Sequence, residues 1–167
     1  SSSKQMEDLR QTLVVSGDAS VEQIEEKLLA SLVTDQAPSE AKKALGIAEE
    51  LCRAVNASPK TVLRPLELIQ RALRADRAVD VSVRRWALIV AGRVWKYAMA
   101  TLVRRSSSCP PEVLKQLKAL LWDVKDKATE ILVSTAAGDV QTDSSVALNA
   151  VKFLQIVSCT LLLPTSD

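Results

Sequence analysis

Apolar side chains return every three or four positions along most of the chain, the spacing that gathers residues on one face of an α-helix. Read together with caps and breakers, the pattern predicts seven helices, over about 4–15, 20–34, 39–55, 59–74, 81–105, 111–136 and 144–163. Met6, Leu9 and Leu13 mark the first, which stops near Gly17. Ser20 and Gln23 form a capping box ahead of Val21, Ile24, Leu28, Leu29 and Leu32, while Glu22, Glu25, Glu26 and Lys27 turn to solvent. Ala41, Ala44, Leu45, Ala48, Leu51, Cys52 and Val55 give the third its inward face, and Ser58-Pro59 opens the fourth. Pro65 lies inside that fourth helix, where loss of a backbone donor predicts a bend. In the fifth, Ala87, Val90, Ala91, Val94, Ala98, Thr101 and Leu102 share a broad face. Val113, Leu117, Leu120, Leu121, Val124, Ala128, Ile131 and Leu132 line the sixth, which ends before Gly138.

The stretch from Leu63 to Ala87 organises this series: an apolar helix with a proline, an acidic turn at Asp76 and Asp80, then Val83-Arg84 and Ala87. Asp80 can cap the fifth helix, since a carboxylate accepts the free amide protons of the first turn. Val83 and Ala87 are one turn apart and small enough for a partner helix to approach, whereas Arg84 points aside and can reach an acidic turn of a neighbouring unit. Ala41-Lys42-Lys43-Ala44 after Asp35 echoes this motif, about 42 residues earlier. Asp143, Val146 and Ala150 repeat it with Ala147 in place of the arginine. The arrangement resembles the HEAT repeat and implies an all-α, HEAT-like or armadillo-type helical-hairpin solenoid of about seven helices, one domain over residues 1–167. An ordinary hairpin in a helical bundle is the alternative. From Val146 to Leu163, 13 of 18 residues are apolar and they surround the helix, which predicts cover on both sides and further repeats beyond it.

Composition narrows the chemistry. With 47% hydrophobic residues, 25% charged and 4 glycines the chain reads as globular and helical, and 3% aromatics leave a core of Leu, Val and Ala. The absence of histidine removes histidine-based acid–base chemistry, a triad and a zinc site; Cys52, Cys109 and Cys159 lack metal-ligand spacing and read as reduced thiols. The glycines are isolated, so there is no phosphate-binding loop. Glu49-Glu50 is expected to be exposed, and Asp123 and Asp126 stand beside Lys125 and Lys127; neither pair suits catalysis. The reading is therefore a non-enzyme with no cofactor. Trp86, Trp95 and Trp122 are expected in the core or a groove. The start SSSKQMEDLR has no apolar signal-peptide core, and Asn149, Lys152 and Gln155 interrupt the one tract long enough to suggest a membrane span, so no membrane association is expected.

A net charge of +2 does not by itself indicate nucleic acid. Locally, however, Arg85, Arg93, Lys96 and Arg104 fall on one arc of the fifth helix. This stripe is either a solvated helix face with its aliphatic stems packed down or a surface for RNA or an acidic or phosphorylated partner. The loop Ser106-Ser107-Ser108-Cys109-Pro110-Pro111 is a candidate for phosphorylation.

Three short strings occur in order on the predicted helices: Val94-Trp95-Lys96-Tyr97-Ala98, Leu121-Trp122-Asp123-Val124 and Asn149-Ala150-Val151-Lys152-Phe153-Leu154. In this order and spacing the chain resembles the N-terminal HEAT domain of the symplekin family, over about Gln5 to Pro164, as a divergent member. Ala147 departs from the family's usual arginine, the loop from Arg105 to Pro111 is longer, and the family's domain is longer than this chain. The resemblance implies a nuclear, noncatalytic scaffold for cleavage and polyadenylation factors that binds a cysteine phosphatase acting on the RNA polymerase II tail. It further implies that Lys152 contacts the phosphatase, with Asn149 one turn away. A lysine on so apolar a helix must otherwise snorkel to solvent.

Overall fold

The computed structural model describes residues 38–53, 59–74, 79–105, 109–136 and 143–161. They form five α-helices, and no strand is present among them: α1 (Pro38–Arg53), α2 (Pro59–Ala72), α3 (Val81–Arg105), α4 (Pro111–Ala136) and α5 (Ser144–Leu161). The helices expected over 4–15 and 20–34 lie outside the described residues, so five of the seven expected helices stand here. α3 and α4 begin and end where the pattern placed them, and α2 stays helical through Pro65.

Among the described residues each helix packs substantially only against those one or two places along the chain. α1, α3 and α5 lie side by side, as do α2 and α4; α1 meets α2, α2 meets α3 and α4 meets α5, while α3 and α4 barely touch. The described residues contain no pairing of α1 with α4 or α5 on that scale. Among the described residues the helices thus fall into two sets, α1, α3 and α5 in one and α2 and α4 in the other.

Burial depends on position in those sets. α4, on the outside, buries one narrow stripe: Leu117, Leu121, Val124, Ala128 and Ile131, at alternating steps of four and three. α3 touches α1, α2 and α5, and it buries most of its circumference, including Val83, Ala87, Leu88, Val90, Ala91, Val94, Trp95 and Ala98. Small residues on α3 let its neighbours come close. A Cβ on Gly92 would sit 2.7 Å from Ile156 Cδ1, so α5 packs where a larger residue would stand. Beside it Trp95 and Phe153 meet edge to face, centroids 5.7 Å apart and planes at 86°, and Trp95 Nε1 donates to Thr160 Oγ1 at 2.7 Å.

Among the described residues α5 is covered along one face. Val146, Ala150, Phe153 and Val157 are buried on one face, while Leu148 (54% exposed) and Val151 (38%) face outward. The i, i+4, i+7, i+11 spacing of the four buried residues sets them on that face.

Polar side chains fix the helix ends and the register between the two sets. Asp80 caps α3, its Oδ1 accepting from Ser82 N (2.8 Å) and Ser82 Oγ (2.5 Å). Asp143 caps α5 in the same way through Ser145, with its main-chain bond at 2.7 Å. Hydrogen bonds from those serines hold both carboxyls below the usual value of 3.8. Between α2 and α4, Asp123 Oδ2 accepts from Gln70 Nε2 (2.5 Å) and Lys127 Nζ (2.8 Å). Burial pushes that carboxyl up, but the two donors and the lysine charge bring it below its ordinary value.

Candidate functional site

α3 carries Arg84, Arg85, Arg93, Lys96, Arg104 and Arg105 and not one carboxylate in 25 residues. α5 has Lys152 as its sole charge in 18. The acids capping these helices, Asp80 and Asp143, precede them. Packing α3 against α5 therefore joins two acid-free helices, and the charges they expose are basic.

The pairings along this interface run in one direction. Near the start, Arg85 Nη1 donates to Ser145 Oγ at 3.3 Å; farther on Gly92 faces Ile156, and then Trp95 reaches Thr160. α3 and α5 are thus parallel, with Arg85 at the N-terminal end of the shared edge. Its charge also helps hold the Asp143 carboxyl low, after the bonds from Ser145. Lys96 lies about three turns beyond Arg85 on nearly the same side of α3. Lys152 lies about two turns beyond Ser145 on α5. Both lysines are exposed, and neither has an ion-pair or hydrogen-bond partner among the described residues. Asn149 Nδ2 donates to Ser145 O at 2.8 Å, which turns its amide back along its own helix.

The expected stripe is divided. Arg93 is exposed at its rim but committed internally: Nη1 donates to Glu49 Oε2 at 3.0 Å, and its guanidinium lies 5.7 Å from the Trp86 ring centroid. Glu49 itself corrects an expectation. Expected at the surface beside Glu50, it is only 5% exposed, because the edge of α1 on which it lies is covered by α3. A carboxylate so enclosed requires a partner, and Arg93 supplies it. The signal available in the sequence was a glutamate adjoining the small-residue face of Ala44, Leu45 and Ala48. The side chain of Arg104 lies outside the described residues. Arg85, Lys96 and Lys152 are left as the outward cations of the α3–α5 edge, with Arg93 bordering it toward α1.

Of the three tryptophans, Trp95 is buried, Trp86 is half-buried and Trp122 is exposed at the surface of α4, against the expectation of core or groove. Its neighbours explain why. Leu121 and Val124 point into the core and Asp123 is tied to α2, which leaves position 122 directed outward. Among the described residues no cluster of side chains could hold a metal ion, and no helix is long and apolar enough to cross a membrane. No protein-family model, curated protein or solved structure matches the chain.

Proposed function

We propose that this chain is a HEAT-like module of a noncatalytic scaffold of the symplekin type, working in nuclear pre-mRNA 3′-end cleavage and polyadenylation. In this reading the α3–α5 edge binds a cysteine phosphatase that acts on the RNA polymerase II tail. The carrying observation is Lys152: it stands exposed and, among the described residues, without an ionic partner on an acid-free helix, beside the basic edge of a second acid-free helix. A cation so placed is available to an acidic group on a protein partner, and no internal contact is lost when it engages one. The packing among the described residues, in which each helix leans on near neighbours alone, further supports the HEAT-like reading.

Pull-down from nuclear extract tests it. Cleavage and polyadenylation factors or the phosphatase should be recovered, and Lys152→Glu should weaken their capture while leaving the melting temperature unchanged. Recovery of unrelated cytoplasmic proteins alone would overturn the proposal. A large fall in melting temperature for Lys152→Glu would make that lysine structural instead.

The lack of carboxylates on α3 also favours a second reading, in which Arg85 and Lys96, with Arg93 at the border, hold RNA or a phosphorylated acidic segment. Phosphate contacts make affinity fall steeply with salt. Affinity that does not change with salt would dispose of this alternative.

A further inference from the structure

The outer face of α4 carries a tryptophan that the fold does not use. Trp122 is 53% exposed, and one face of its ring is covered by Lys125, whose Nζ lies 4.0 Å from the centroid. Lys118 and Lys115 are exposed one and two turns before it on the same side. About three turns after it, on the same side, Val133 is 63% exposed. The register of α4 fixes this display. Asp123 is held by Gln70 of α2, and Leu121 is buried, so the helix cannot roll to bring Trp122 inward without breaking that bond and exposing that leucine.

We propose that this face of α4 is a docking surface for an acidic amphipathic helix from another protein, independent of the α3–α5 edge. The partner's apolar anchors would meet the open part of the Trp122 ring and Val133. Its carboxylates would lie over Lys115, Lys118 and Lys125. Charge decides the class of partner: Lys115, Lys118 and Lys125 outnumber Asp126, exposed one turn after Trp122 on the same side, so carboxylates are favoured over this face and a basic segment would be repelled. The aromatic anchor flanked by the long side chains of Lys118 and Lys125 has the composition of an interface centre, since tryptophan concentrates binding energy in the area from which neighbours exclude water.

The test uses the whole chain and a synthetic Glu/Ala helix of about five turns that carries two leucines eleven positions apart. Titration should shift the tryptophan emission to shorter wavelength and protect it from acrylamide. Trp122→Ala, and separately the double change Lys115→Glu with Lys118→Glu, should each weaken binding more than about tenfold, the loss expected of a central contact. Both variants should melt as the parent does, because the altered side chains lie outside the core. The same peptide with lysine for glutamate should not bind. Equal binding of the lysine peptide, undiminished binding by Trp122→Ala, or no binding up to about millimolar peptide would each overturn the proposal. So would sedimentation showing that the chain dimerises and that Trp122→Ala abolishes the dimer.

Discussion

α3 and α5 open with the same device and are held differently. Asp80 and Ser82 begin one, Asp143 and Ser145 the other, and in each the serine donates from both its amide and its hydroxyl to the aspartate. Val83 and Ala87 are buried on α3, as Val146 and Ala150 are on α5. After the valine they part. Arg84 is partly buried, with burial lowering its pKa, and its Nη2 donates to Arg74 O at 2.7 Å. This attaches the start of α3 to the residue just beyond the end of α2, where helix carbonyls favour a cation. Ala147 has no donor with which to do the same for α5. The interior helix is thus tied back to its predecessor as well as packed against helices on either side, and α5 relies on packing along one face. The same cap can start a helix in either setting; the residue after the valine sets how firmly the helix is embedded.

Substituting aspartate for the buried valines should separate the two most. Val83→Asp places an unpaired carboxylate between several helices and should cost about 4 kcal/mol or more, enough to unfold the chain. Val146→Asp should detach α5 and leave helix elsewhere. Circular dichroism melts with hydrogen exchange resolved by segment measure the contrast, and indistinguishable exchange patterns for the two variants would remove it. Next in size, Trp95→Ala strips the edge-to-face contact and the Thr160 bond from the seam between the helices, with an expected loss of about 3–4 kcal/mol in denaturant unfolding. Arg84→Ala should cost about 1–2 kcal/mol, the range of a charged hydrogen bond in a partly screened place. Ala147→Arg should change little unless the new side chain finds a carbonyl. A gain from Ala147→Arg comparable with the loss at Arg84 would show that the two sites are interchangeable.

The smallest effect is that of pH on the paired caps. Asp80 and Asp143 are held below 3.8 in the folded chain, so their stabilisation is complete above that value. As pH falls through 3.8 and then through the lower folded values, the unfolded chain takes up protons first and the contribution disappears. Asn at either position should flatten the acid limb of melting temperature against pH, measured down to about pH 2. An unchanged acid limb in both variants would assign the acid sensitivity to other carboxylates.

Much of this was legible in the order of residues, because helix starts, helix ends and buried stripes are local matters. Asp80 announced its cap, and Leu117, Leu121, Val124, Ala128 and Ile131 announced their face. Two features were not legible. Glu49 and Arg93 are 44 positions apart, and only the alignment of α1 with α3 brings them together. Trp122 looked interior by composition; its direction depends on the hold of Gln70 on Asp123 across two helices. For the candidate edge the sequence indicated which cations α3 and α5 carry but not their employment. Arg93 is engaged, whereas Arg85, Lys96 and Lys152 extend outward, and that division depends on which neighbour covers which arc.

The missing side chain at Gly92 makes the seam adjustable. Ile156 Cδ1 occupies the space, and because it is the tip of a pliable chain, one added methyl would be absorbed by a small rotation. A branched residue would act as a shim, wedging α5 away and rotating it about its remaining contacts. Lys96 and Lys152 stand one on each helix, so whatever parts the helices at Gly92 parts these two charges as well.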